Sequence, residues 1–280
     1  MSPTHAAARA PARAVARRRL AVAVAAAVLV AGGGGAYALH RGGAGPTAPL
    51  PPPTPIVEVR AGQTADTVAH AMESAAGWSA AAVEAAMADP SAAGVPGSAP
   101  SVEGWLGVGV YPVSPTDTPA SLVARMVVQQ RAAITASGLG TAAARQHRSI
   151  NEMLTIASVA QAEAIPSQYG QVARVVDNRL AAGMPLQMDA TLNYANKTHV
   201  LAHSVAQLRD PSAYNSYTHK GLPPTPIGNP DDRALAAAAS PPQGPWLYFV
   251  LIDKDGTQLF TADYAEFEKA KAKAQAAGVF

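Results

Sequence analysis

The chain has 280 residues, a formal net charge of +2 and a hydrophobic share of 49%. Alanine dominates that share, beside only four Phe and three Trp, so the percentage overstates the core that can be built. The absence of cysteine excludes disulfides, thiolate metal sites and a cysteine nucleophile, and the slight positive charge, gathered in N-terminal arginines, gives no reason to propose nucleic acid as a partner.

Arg9, Arg13, Arg17, Arg18 and Arg19 precede an uncharged run over residues 20–39. About 20 apolar residues suffice to cross a bilayer. Arginines before such a run predict residues 1–19 in the cytoplasm and the remainder outside. A retained transmembrane anchor over 20–39 is the reading favoured here. Cleavage of a signal peptide near Ala38 would instead secrete the same remainder. Residues 40–55, including PLPPPTP, read as an extended Pro/Gly-rich linker.

From Ile56 the sequence IVEVRAGQTADTVAHAM reads as a strand, a turn at Gly62 and a helix capped by Thr64. SAAAVEAAMADP reads as a second helix, from Ser79 to just before Pro90. The result is a small βαα unit over residues 56–100. Its pattern Val59, Gly62, Thr64, Val68, Ala69 resembles a LysM module, which implies N-acetylglucosamine-containing glycans nearby. A generic capped α/β subdomain accounts for the same residues. The linker from Ser91 to Ser101 leads into EGWLGVGVYPV, read as a strand, and then into a helix from Pro119 to Ser137 that carries Leu122, Met126, Val127 and Ile134 at helical spacing.

Ser149 and Glu152 form a capping box, so a helix is predicted from Ile150 to before Pro166. Ile150, Met153, Leu154, Ala157, Ala160 and Ala164 make its core stripe, with Glu163 at the rim in the last turn. Partial desolvation and the negative end of the helix dipole both disfavour a charge there, so a raised pKa is expected. An acid still protonated near neutral pH can donate to the leaving oxygen of a glycosidic bond. An ion pair with Arg174 or Arg179, locking two helices, is the competing reading. A two-carboxylate glycosidase needs its second acid within roughly 5 to 9.5 Å. Glu152 lies roughly 16 Å away along the helix and is excluded. Asp177 and Asp189 stay open by sequence, and a single-acid mechanism is simpler.

QYGQVARVVDNRLAAG is predicted as a helix ending at Gly183, and MPLQMDATLNYA as an extended piece. On a strand, Gln187, Asp189 and Thr191 face one side, a row that suits sugar hydroxyls and equally a solvent face. The prolines of SAYNSYTHKGLPPTPIGNP predict a rigid loop. PWLYFVLID, KDG and TQLFTAD predict a β-hairpin of structural role, and a closing helix starts near Asp263.

In order, EGWL with Tyr111, LTIASVAQAEA, VVDNRLAAGMPLQMDATLNYA, YNSYTHKGLPPTPIGNP and WLYFVLIDKDGTQLF resemble the endolytic peptidoglycan (murein) transglycosylases of the MltG, or YceG-like, family. The resemblance covers Ile56 to the C-terminus. It implies an α+β class: a membrane-anchored chain with a LysM-like βαα subdomain followed by a mixed α+β catalytic domain over residues 101–280. The family's catalytic glutamate falls on Glu163. Many relatives carry another acid where this chain has Gln161, and usually F-P-D-T-Y where it has residues 107–111.

The implied reaction is non-hydrolytic cleavage of the β-1,4 bond after N-acetylmuramic acid, leaving 1,6-anhydro ends, with Glu163 as acid and then base. Gln187, Asp189, Thr191, Asn215 and Tyr217 are the candidates for orienting the glycan. No cofactor or metal is indicated. The implied partners are peptidoglycan strands, the cell membrane through the N-terminal helix, and wall-synthesis proteins. A non-catalytic wall-binding or division scaffold that keeps the fold, and a true muramidase, are the alternatives.

Overall fold

The computed structural model describes residues 53–97, 99–200 and 203–280. The expected anchor over 20–39, the cytoplasmic segment 1–19 and most of the linker lie outside the described residues. Among the described residues no helix is long and apolar enough to cross a membrane.

Strand β1 (Ile56–Val59) leads through the Gly62 turn into helices α1 (Ala65–Ala76) and α2 (Ala80–Ala88). Each helix is capped as its sequence dictates: Thr64 accepts from the Thr67 N–H, and Ser79 from that of Ala82. Strand β2 (Gly109–Pro112) returns antiparallel to β1, with Ile56 opposite Pro112 and Val59 opposite Gly109. The two-stranded sheet therefore joins residues from both sides of position 100. Val57 and Val59 point inward to Val68, Met72 and Val83, all buried. In the stretch read as one long strand, Trp105 and Leu106 are instead buried in a turn ahead of β2, and the Trp105 indole donates to Asn151 Oδ1 at 3.3 Å.

Helices α3 (Pro119–Ala136), α4 (Leu139–Arg145), α5 (Ile150–Glu163) and α6 (Tyr169–Ala181) follow. Then come α7 (Asp189–Asn196), α8 (Val205–Leu208) and α9 (Asp232–Ala239). A hairpin of β3 (Tyr248–Leu251) and β4 (Gln258–Thr261) precedes α10 (Tyr264–Ala276), which Asp263 caps.

Helix α5 is the axis of this part of the molecule. Its start carries the capping box read from Ser149 and Glu152. Every residue from Met153 to Ala160 is buried, with α4, α6, α7 and α9 packed around it. The expected single apolar stripe thus becomes burial on all sides, the condition of a helix enclosed by others. The extra faces add apolar Ile156 and Val159 and two hydroxyls that find partners: Thr155 donates to the Asn151 carbonyl, and Ser158 donates to that of Thr155 while accepting from Ile227 N at 3.0 Å.

MPLQMDATLNYA does not continue as an extended piece: residues 189–196 are helix α7. Asp189 favours the start of a helix by its charge, and Thr191 bonds back to the Met188 carbonyl at 2.8 Å. The row of Gln187, Asp189 and Thr191 on one strand face is therefore broken up.

The PIGNP loop ties the two ends of the fold together. Asn229, fully buried, accepts from Leu106 N through Oδ1 at 2.9 Å and donates from Nδ2 to the Gln63 carbonyl at 2.8 Å. Its own carbonyl accepts from Gly62 N at 2.8 Å and from Gln161 Nε2 at 3.3 Å. The approach is so close that a Cβ on Gly228 would stand 2.6 Å from the Gly62 oxygen.

Replacing Asn229 by Ala strips the buried Leu106 N–H of its acceptor and the Gln63 carbonyl of one donor. The expected loss is about 2–3 kcal/mol of unfolding free energy, read as a lower urea midpoint with an unchanged slope.

Candidate active site

Helix α5 ends at Glu163, whose next residue, Ala164, turns to extended backbone ahead of Pro166. Glu163 is partly buried and lines a cavity of about 510 Å³. Its Oε1 accepts from the backbone N–H of Ala190 at 2.8 Å, in the first turn of α7. The α7 N-cap residue, Met188, has no side chain able to cap, so Glu163 does from 27 positions upstream what Ser or Asp does locally elsewhere. On the other side, the Glu163 carbonyl accepts from Gln258 Nε2 at 2.7 Å, tying the same residue to β4.

Opposed influences set the proton affinity of this carboxylate. Burial pushes it up, and the nearby negative charge of Asp189 adds to that push. The Ala190 N–H and the Arg179 guanidinium act against both. Burial dominates, and the pKa is raised from 4.5 to about 7.

The helix-locking ion pair considered for Glu163 does not form: none of the ion pairs among the described residues includes it. Arg174 donates to the Pro241 and Pro242 carbonyls and lies 3.8 Å from Asp177. Arg179 donates to the Leu247 carbonyl at 2.6 Å and to that of Leu186, with its guanidinium 5.6 Å from the centre of the Tyr248 ring. Both cations are engaged by main-chain oxygens. Arg179 therefore reaches the acid only as a charge at a distance.

Of the two acids left open by sequence, Asp177 is held by Arg148 at 2.5 Å and takes no part in the cavity lining. Asp189 does line it. Its Oδ1 accepts from the Tyr217 hydroxyl at 2.5 Å, and the buried ring of His203 stands 3.8 Å away. Burial, with Asp189 as hydrogen-bond partner and as charge, keeps the Tyr217 phenol firmly protonated. Glu163 and Asp189 thus share one cavity, with Tyr217 committed to the second carboxylate.

The five residues proposed to orient a ligand divide into two groups. Gln187, Asp189 and Tyr217 line the cavity, Gln187 from an exposed turn with φ of 51° whose N–H donates to the Ser216 carbonyl at 3.0 Å. Thr191 and Asn215 are fully buried behind it. Thr191 shares a 2.8 Å bond with Ser216, which also accepts from Met188 N, so it fastens the start of α7 to the proline-rich loop. Asn215 donates to the Leu208 and Asp210 carbonyls and accepts from Tyr217 N. For these two the sugar-orienting expectation gives way to a supporting one. Their polar atoms are already consumed.

Part of the lining comes from elements that the sequence did not mark as a site. The hairpin, read as structural, contributes Tyr248, Phe249 and Gln258, and α10 contributes Tyr264, Phe267 and Lys271. The available signal was the density of aromatics in WLYFVLID and TADYAEF, in a chain with so few of them. Gln161 and residues 107–111, where the chain departs from the pattern it resembles, lie outside this lining. Gln161 accepts from Asp231 N at 2.8 Å while donating to Asn229, a pairing that an ionised acid could not complete.

Comparison with known proteins places the chain in a family. The YceG-like family matches residues 37–273. The endolytic murein transglycosylase of Bacillus subtilis strain 168 is 33% identical over 176 residues, which are 61% of this chain and 48% of that protein. The chain thus spans about half the length of this curated relative. The crystal structure of a YceG-like protein from Listeria monocytogenes superposes with a TM-score of 0.69 and 27% identity, covering 76% of this chain and 75% of that one.

A raised carboxylate pKa has a definite sign in stability. Between the ordinary 4.5 and about 7 the folded chain binds the Glu163 proton more tightly than the unfolded chain does, so this contribution is full below the window and lost as pH rises through it. Glu163→Gln keeps an acceptor for Ala190 and removes the charge. The variant is expected to match the parent near the lower pH and to exceed it by about 2–3 kcal/mol near pH 8, after allowing for residual solvent contact. Urea unfolding at the two pH values checks this, and no gain at the higher one contradicts a desolvated acid. Asp189→Asn removes a like charge, so it is expected to lower the Glu163 pKa in a carboxyl-resolved NMR titration.

Proposed function

Because the chain belongs to the YceG-like family, we propose that it is an endolytic lytic transglycosylase that cleaves the β-1,4 bond between N-acetylmuramic acid and N-acetylglucosamine within peptidoglycan strands. The observation that carries this reading is Glu163: a carboxyl with a pKa of about 7, free of ion pairs among the described residues, on the wall of a cavity large enough for sugar rings.

The protonated Glu163 donates to the glycosidic oxygen, and the N-acetylglucosamine side departs as an alcohol. Positive charge develops at C1 of the muramic ring, as in other glycosidic cleavages. The carboxylate just formed then removes the proton from the C6 hydroxyl, whose oxygen bonds to C1 and closes the 1,6-anhydro ring. The proton balance closes on one side chain without water, so no water-activating base is needed. Asp189, with Tyr217 bonded to it, supplies a fixed negative charge beside the reacting ring, and Gln187 offers an amide at the rim.

Residues 20–39 serve in this reading as the membrane anchor, holding the catalytic part outside the membrane within reach of the wall and its synthesis proteins. The β1–α1–α2 unit, closed by β2, is the LysM-like element expected to lie against the glycan.

Muropeptide analysis of digested peptidoglycan tests the assignment. The parent is expected to release anhydro-ended products at a rate that falls as pH rises past about 7, where the acid loses its proton. Glu163→Gln is expected to reduce product formation by about 10²–10⁴-fold. Reducing ends in place of anhydro ends would indicate a muramidase, and strand binding with no product a scaffold.

A further inference from the structure

The cavity that Glu163 lines also carries aromatic rings that the chemistry at the acid does not use. Tyr248 of β3 lies 5.2 Å from Tyr264 and 5.7 Å from Phe267 between ring centres, and the two α10 rings stack on each other at 5.7 Å. Positions i, i+3 and i+7 of α10 face the same way: Tyr264, Phe267 and Lys271. Tyr264 remains 57% exposed even though it lines the cavity. The Lys271 ammonium stands 5.8 Å from the Phe267 ring centre, and it is in none of the ion pairs among the described residues. Glu268 lines the cavity beside them.

An open cluster of rings suits one common kind of ligand better than others. A β-linked pyranose presents axial C–H groups as an apolar face with hydroxyls around its edge, and such a face packs on an aromatic ring while the hydroxyls stay wet. Lys271 and Glu268 at the rim offer polar partners to such hydroxyls that a purely apolar ligand would not use. We infer that Tyr248, Tyr264 and Phe267 form a sugar-stacking subsite that holds the glycan beside Glu163, with Lys271 meeting a carboxylate of the peptide carried by a muramic acid residue. The inference rests on the glycan-cleaving reading and adds to it the surface that grips the strand. It also gives the C-terminal helix a role at the site.

Binding measured by calorimetry in the Glu163→Gln background separates grip from turnover. Two probes are used: peptide-bearing peptidoglycan strands, and neutral oligomers of N-acetylglucosamine. Tyr264→Ala is expected to weaken both by about tenfold, while Tyr264→Phe, which keeps the ring, leaves both unchanged. Lys271→Ala is expected to weaken only the peptide-bearing strands, by about fivefold. Because Tyr264 and Lys271 sit toward solvent, far-UV circular dichroism of these variants is expected to match the parent. Undiminished binding by Tyr264→Ala, or no binding of either probe by the background variant, overturns the subsite. If instead the ring dependence is found and the parent yields no anhydro products, the subsite stands and the cleavage reading falls.

Discussion

One hydrogen bond joins the chemistry of this molecule to its architecture: Glu163 Oε1 to the N–H of Ala190. Helix α5 ends on the acid and α7 begins against it. The negative end of the first helix raises the cost of its charge, and the positive end of the second lowers it. With Met188 at its N-cap, α7 has no side-chain cap of its own, so the carboxylate is part of what lets residues 189–196 be helical. The group proposed to move a proton is thus also a fold element. Its position is fixed by a backbone donor, whereas a mobile side-chain partner could have swung away.

The same short helix is fastened at its other end and middle. Tyr194 donates its hydroxyl to Glu103 at 3.0 Å, and Lys197 reaches Asp66 at 3.2 Å. Glu103 is buried, its pKa raised to about 7 by that burial, and it accepts from Ala65 N at the start of α1. So α7 meets two desolvated acids that each accept from the start of a helix: Glu163 from α7 and Glu103 from α1. Between them the buried amide of Asn229 pins the Gly62 turn, the Leu106 segment and α5 to a single point. The β1–α1–α2–β2 unit is thereby a fixed neighbour of the cavity. Its placement depends on hydrogen bonds that are mostly buried or half-buried, with the Leu106 bond to Asn229 fully inside.

The cavity's two walls differ in kind. One is polar and carried by helix ends and the proline-rich loop, with Glu163, Asp189, Tyr217 and Gln187. The other is aromatic and carried by the hairpin and α10. Arg179 crosses between them: it donates to the carbonyls of Leu186 and Leu247 while its face lies on the Tyr248 ring. A buried guanidinium satisfied by main-chain oxygens holds the two walls at a set distance and leaves the acid unneutralised. Had it closed on Glu163 as an ion pair, the carboxyl would have been held ionised near neutral pH and could not have donated a proton.

Local rules determined what depends on neighbours in sequence. The Thr64 cap, the Ser149 capping box, the helix starts near Ser79 and Asp263, the helix with Glu163 in its last turn, the hairpin and the irregular proline-rich loop were all legible, because each is set by side-chain bonds or periodicity within a few residues. Even the desolvation of Glu163 could be argued from a helical wheel. What the tertiary fold decided was everything that takes its partner from far away. Helix α7 was hidden because its cap lies 27 residues upstream, and Thr191 turned inward to the Ser216 hydroxyl 25 positions away. Asn215 is held by carbonyls five and seven positions before it, in an irregular loop that offers no periodicity to read. The aromatic wall came from residues about a hundred positions after the acid, brought into the same cavity by packing alone, and no pattern within either segment encodes that encounter.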